Sequence, residues 1–169
     1  MDYALSSDDL RKICPDLKVL TYPQLTSYGS LEELFGQDDR PVALLYETSP
    51  YYGHWTCLIK HGPGQYEFFD PYALPPDSEL FFIDDAYRRE SNQEHHHLLN
   101  MILDAGGTTI WSMKQVQKDS PNISTCGRWI ALRCLARNMP LDMFRRMFGG
   151  AEWTPDRLVV GLSDMFLKR

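Results

Sequence analysis

The 169-residue sequence contains no apolar run approaching the roughly 18 residues needed for a membrane span. Its opening, Met1-Asp2-Tyr3-Ala4-Leu5-Ser6-Ser7-Asp8-Asp9, lacks the basic and apolar stretches of a secretory signal. The expectation is a protein that is not secreted. Cysteine is sparse: Cys14, Cys57, Cys126 and Cys134 form no Cys-x-x-Cys pair and fall far short of a disulfide scaffold, so a reducing environment is expected. Cationic surplus is also missing. The net charge is −6, and Lys and Arg are scattered apart from Arg88-Arg89 and Arg145-Arg146, which argues against a broad nucleic-acid-binding face. No composition shift, Ser/Gly-rich linker, repeat or low-complexity tract divides the chain, and residues 1–169 read as one domain.

What is present alternates between helix and strand signals. Ser7-Asp8-Asp9-Leu10 starts a short helix ending before Pro15, and Ser30-Leu31-Glu32-Glu33 has the capping-box spacing of a second, stopped at Gly36. Lys18–Tyr22 reads as a short extended piece. Pro41–Tyr46, Gly53–Lys60 and Gln65–Asp70 read as strands, the last two joined across His61-Gly62-Pro63-Gly64 as an antiparallel hairpin whose register the long turn leaves open. Asp70 stands at a strand tip, because the prolines of Pro71–Pro76 cannot continue a ladder. Residues 84–105 read as one helix with Leu98, Leu99, Ile102 and Leu103 inward, closed by Gly106-Gly107. Thr108–Met113 is a further strand. After a polar loop, helices follow at Cys126, at Pro140-Leu141 with Phe144 and Met147 on one side, and at Pro155–Phe166 with Leu158, Val159, Leu162 and Phe166 inward. The class is α+β, with a central mixed or antiparallel sheet flanked by helices.

The chemistry centres on Cys126, which opens a helix carrying Trp129, Ile130, Leu132 and Leu135. Unpaired backbone N–H groups and the positive end of the helix dipole favour thiolate over thiol there. Gly127 keeps bulk away from the sulfur and lets a substrate backbone approach. A thiol nucleophile needs a base and a third group to orient it, and His54 and Asp70, at comparable ends of neighbouring strands, have the required types. Each also has a plainer reading: a packed strand histidine, an Asp-Pro turn, a buried thiol.

Gly53-His54-Trp55 on one strand, Phe68-Phe69-Asp70-Pro71-Tyr72 ending the next, and Thr125-Cys126-Gly127-Arg128-Trp129 at a helix start resemble the adenovirus-type maturation proteases and the related SUMO-specific proteases. In appearance they are closer to the proteases predicted in large DNA viruses and virophage-like elements. The resemblance covers residues 41 to 139 or so. It implies a papain-like cysteine peptidase core with the nucleophile at a helix N-terminus. It also implies His54 as general base, Asp70 as its orienting partner, Cys126 as nucleophile, and an upstream glutamine that binds the oxyanion together with the Cys126 backbone N–H. Gln117 is preferred for that last role, although it stands two positions further from the cysteine than in the adenovirus pattern. Asp119 occupies the gapless position and Gln115 is a second choice. Ala73 follows Asp70-Pro71-Tyr72 where relatives often have glycine.

The expected function is a cysteine endopeptidase cleaving viral capsid or precursor proteins, with no cofactor and no metal. It is expected to act as a monomer with no nucleic-acid or membrane partner, to use a peptide activator at most, and, by resemblance, to reside in the host cytoplasm or viral factory and the virion. The alternatives are a protease of ubiquitin-like modifiers and a non-catalytic binding domain. Glu94-His95-His96-His97 invites a metal reading, but on a helix only Glu94 and His97 share a face, and a solvated surface is the simpler account. Trp129 and Trp153 read as core or cleft wall, and Trp55, beside the base, as a possible groove wall.

Overall fold

A computed structural model describes residues 3–150 and 154–169 of the chain; Trp153 lies outside the described residues. Five strands, β1 (Lys18–Thr21), β2 (Val42–Ser49), β3 (Tyr52–Gly62), β4 (Gln65–Phe69) and β5 (Thr108–Trp111), form one sheet in sequence order. The inner pairs are antiparallel, while β1 runs parallel to β2 and β5 parallel to β4. Helices α1 (Ser7–Ile13), α2 (Tyr22–Leu25), α3 (Leu31–Phe35), α4 (Asp85–Glu90), α5 (His97–Ala105), α6 (Cys126–Leu135), α7 (Leu141–Arg146) and α8 (Pro155–Leu167) flank it. The architecture is α+β with a mixed five-stranded sheet.

The two-residue period of a strand divides the core into two layers. Ala43, Leu45, Trp55, Cys57 and Ile59 pack with Leu10, Ile13, Trp129, Ile130 and Val159 on one face, while Val42, Leu44, Tyr46 and Leu58 pack with Leu31, Leu34, Leu98 and Met101 on the other. Because both faces are covered, β2 reads as a continuous apolar run rather than an alternating one. Helix α6 is buried from Cys126 to Cys134, two arginines included. Arg133 makes a two-pronged pair with Glu67 of β4, both contacts 2.8 Å, and Arg128 reaches Ser163 at 2.6 Å and Asp164 at 2.8 Å. These partners are what allow a guanidinium to sit in an apolar layer.

The hairpin register places Cys57 opposite Phe69 and Lys60 opposite Tyr66, then slips by one residue before Gly62 meets Gln65. Helix α1 starts one residue earlier than the sequence suggests: Ser6 is the cap, exchanging bonds with Asp9 in a full capping box. At α3 the box is only half made. Ser30 accepts from Glu33 N–H at 3.1 Å, but the Glu33 carboxylate takes the Gly29 N–H at 2.9 Å instead of the cap's own.

The single helix expected over 84–105 is two helices, α4 and α5, and the cause is a long-range contact. Gln93 is fully buried, accepts from the Glu47 N–H at 3.0 Å and donates to the Glu47 carbonyl at 2.9 Å, serving as a strand partner where the β2–β3 register shifts. Asn92 adopts a left-handed φ of 59° to deliver it. His95 and His96 therefore precede α5, and His97 approaches the Tyr28 carbonyl at 3.1 Å. The inward face of α5 is Leu98 and Met101, with Leu103 exposed. Two further apolar assignments change: Phe148 rather than Met147 joins Phe144 in the core, and Leu162 of α8 is exposed.

Candidate functional site

The topology gathers the chemistry at one end of the sheet. Since Cys57 faces Phe69, His54 near the start of β3 and Asp70 just past the end of β4 emerge together. β5, parallel to β4, leaves at the same end, and the loop from 112 to 125 carries the chain to Cys126. That loop is lashed to the Asp70–Ala73 turn: the Val116 and Gln117 N–H groups both donate to the Pro71 carbonyl, at 2.9 and 3.1 Å, and Ala73 N–H closes the turn onto Asp70 O at 2.8 Å. Gly53 sets His54. A Cβ at residue 53 would lie 1.9 Å from the Tyr46 carbonyl oxygen, so only glycine lets β3 pass β2 there.

His54 Nε2 lies 2.7 Å from Asp70 Oδ1, which also accepts the Tyr72 N–H at 2.8 Å. A carboxylate on Nε2 leaves Nδ1 as the ring's second hydrogen-bonding atom, and the Cys126 side chain stands near enough to favour the charged ring. Cysteine, histidine and aspartate are all buried. Burial opposes charging of the imidazole, but the Asp70 carboxylate first and Cys126 after it outweigh that cost and hold His54 well above the ordinary histidine range. Glu79, from a 3-10 turn at Ser78–Phe82, stands 3.9 Å from His54 Nε2. Its carboxyl is pushed up by burial; His54 counters this, and Asp70 and Asp119 add to it. His54, Asp70 and Glu79 present ligand atoms within 4.8 Å of one another, the grouping with metal-ligand spacing among the described residues; Glu94 and His97 form none. The His54 nitrogen closest to Glu79 is the one already bonded to Asp70.

The start of α6 is open. Thr125 holds the N-cap position without capping, because its hydroxyl donates to Asp156 Oδ1 at 2.6 Å. Asp156, buried in the first turn of α8, also accepts from Trp129 Nε1 at 3.1 Å and from the Lys118 N–H at 2.9 Å. One carboxylate thus fixes the middle and the end of the loop before Cys126, and the Thr125 side chain makes no cap hydrogen bond to the helix.

Cys126, His54 and Asp70 come together as the sequence suggests. Gln117 comes close by a different route. It is buried, and its Nε2 donates to the Tyr72 hydroxyl at 3.2 Å and the Ile123 carbonyl at 3.4 Å, while its buried Oε1 has no partner among the described residues. Tyr72 in turn stacks on the His54 ring, with centroids 4.7 Å apart and planes 17° apart. Burial, and then the negative charge of Cys126, Asp119, Glu79 and Asp70, push the Tyr72 phenol upward, so it keeps its proton. Gln115 is a buttress whose amide donates to the Gln117 carbonyl at 2.7 Å, and Asp119 is exposed on the loop.

Two expectations are corrected. Gly127 does not face a substrate: a Cβ there would meet Leu5, Leu10 and Trp55 at 3.2 Å, so the glycine admits core packing. Trp55 is a core residue, buried with Nε1 donating to the Leu5 carbonyl at 3.2 Å, and is no groove wall. Tyr72, Glu79 and Asp156 join the site without having been singled out. Tyr72 sits within the Asp70-Pro71-Tyr72 motif, which was the available signal; Glu79 and Asp156 carry no local sign.

No protein-family model matches the chain. It is 33% identical over 165 residues to the uncharacterized protein V9 of Sputnik virophage, spanning 95% of this chain and 94% of that protein. Among solved structures, it is similar to the central domain of an uncharacterized Legionella pneumophila protein, with a TM-score of 0.43 and 14% identity, covering 99% of this chain and 89% of that one.

Proposed function

The chain belongs to the family of the Sputnik virophage protein V9, and we propose that it is a cysteine endopeptidase with a papain-like core that cleaves viral capsid or precursor proteins. The observation that carries this reading is one buried imidazole bonded to Asp70 at 2.7 Å, with the side chain of Cys126, at a helix start, near enough to favour its charged form. A histidine kept for packing alone needs neither a buried charge partner nor a thiol nearby.

In the proposed reaction the Cys126 thiolate adds to the peptide carbonyl carbon while the C=O π pair moves onto oxygen. His54, charged and oriented by Asp70, gives its proton to the departing amine as the C–N bond breaks, leaving an acyl-thioester on Cys126. Neutral His54 then takes a proton from water, whose oxygen attacks the thioester; the product acid leaves and the thiolate–imidazolium pair is restored. The Cys126 backbone N–H supplies one oxyanion donor, and a second comes from the Gln117–Tyr72 pair.

The reaction requires no cofactor, and the acidic chain suits a protein substrate better than a nucleic-acid partner. The test is incubation of the protein and its Cys126→Ala variant with capsid precursors encoded alongside it and with ubiquitin-like fusions, followed by sequencing of new termini. Cleavage of the precursors by the intact protein alone is expected. Cleavage confined to the fusions reassigns the substrate to ubiquitin-like modifiers, and none with either makes the chain a binding domain.

A further inference from the structure

The oxyanion partner admits a sharper assignment, which rests on the endopeptidase reading. Gln117 is buried, and both acceptors of its amide protons are protein atoms, the Tyr72 hydroxyl oxygen and the Ile123 carbonyl. Turning the amide over would set its oxygen against the Ile123 carbonyl, so the donor orientation is the one the surroundings select. Tyr72 is different. It is only partly buried, its oxygen accepts from Gln117, and its own O–H proton has no acceptor among the described residues. Its ring lies flat on the base, and its backbone N–H holds Asp70. The phenol therefore has a fixed position against the ring of the base and a donor still to use.

We propose that the Tyr72 hydroxyl is the second oxyanion donor, and that Gln117 is a positioning residue which acts through it. As the sulfur–carbon bond forms and the carbonyl electron pair moves onto oxygen, Tyr72 O–H and the Cys126 N–H converge on that oxygen, and the bonds relax when the C=O re-forms and the leaving group departs. The Gln117 amide, donating to the phenolic oxygen, fixes the hydroxyl's direction and makes its proton a stronger donor. An aromatic ring stacked on the base is more rigid than a free glutamine side chain.

The test separates a reaction with an oxyanion from one without. Acylation of Cys126 by p-nitrophenyl acetate, read from the p-nitrophenol burst, passes through a tetrahedral oxyanion, whereas alkylation by iodoacetamide is a displacement at carbon and forms none. Both rates are measured for the wild type, Tyr72→Phe, Gln117→Ala and the double variant. Tyr72→Phe is expected to slow acylation on the order of 10²-fold while leaving alkylation unchanged, which also certifies the fold and the nucleophile. Gln117→Ala is expected to slow acylation less, and the double variant no more than Tyr72→Phe alone. A full loss in Gln117→Ala with little change in Tyr72→Phe overturns the assignment and makes the glutamine the direct donor. Equal slowing of acylation and alkylation in Tyr72→Phe also overturns it, because the effect is then on the nucleophile. A wild-type protein whose Cys126 is neither acylated nor alkylated removes the endopeptidase reading itself, and this inference with it.

Discussion

Replacing Asp156 by alanine, 30 positions from the nucleophile, should damage both stability and the site. The carboxylate receives three hydrogen bonds, from Thr125 Oγ1, Trp129 Nε1 and the Lys118 N–H. Thr125 and Trp129 are fully buried, so alanine strands two donors away from water. At about 1–3 kcal/mol for each, and with the Lys118 N–H free to turn to solvent, the loss is about 4 kcal/mol. Asp156→Asn should be milder. Its carbonyl oxygen can still serve Thr125 and Trp129, but its NH2 then faces the Lys118 N–H, donor against donor, for a loss of about 1–2 kcal/mol. Urea unfolding followed by tryptophan fluorescence measures both. Alkylation of Cys126 in the folded variants should also slow, because the loop carrying Gln117 and the start of α6 lose their common anchor. An Asp156→Ala protein within about 1 kcal/mol of wild type, or one more stable than Asp156→Asn, would refute the reasoning.

Three other substitutions probe the frame around the site. Gly53→Ala forces a Cβ to within 1.9 Å of the Tyr46 oxygen; the displacement of His54 should reduce turnover by about 10²-fold or more, with a stability loss of about 1–3 kcal/mol in thermal unfolding. Ala73→Gly relieves a φ of +61° and should raise stability by about 0.5 kcal/mol in the same assay, with turnover unchanged. Asp70→Asn removes the leading charge that holds His54 above its ordinary range, so turnover should fall by about 10²–10⁴-fold and its alkaline limb should move to lower pH. The sign follows from His54 being raised: its contribution to stability and its role as proton donor are complete below the unfolded value of about 6.5 and are lost as pH climbs through the folded one. An alkaline limb that Asp70→Asn leaves in place, in a full pH–rate profile, contradicts the assignment of His54.

The parts of the site that local chemistry specifies were readable in the sequence. Asp70 must end a strand because proline follows, Gly53–Lys60 reads as a strand that carries His54, and Cys126 begins an apolar period after a polar loop. The remainder depends on contacts between distant segments. Gln93 breaks a helix that periodicity supports, because it pairs with the backbone of Glu47. Asp156 belongs to the first turn of α8, where an acidic residue already has a sufficient local reason in the helix dipole, and its bonds to Thr125 and Trp129 appear only once α6 and α8 are packed. Gly127 illustrates the same limit: a small residue beside a nucleophile suggests substrate access, and only the positions of Leu5, Leu10 and Trp55 reveal that it admits the core. Glu79 reaches His54 through a short 3-10 turn with no motif of its own.

The central claim is that His54 makes Cys126 a nucleophile, and the most direct measurement is the iodoacetamide alkylation rate of Cys126 at pH 6, by mass spectrometry, in the native protein and in His54→Ala. An unassisted thiol is about 0.3% thiolate at that pH. The account predicts fast modification confined to Cys126 and a fall of about 10²-fold in the variant. Equal rates in the two proteins would contradict it.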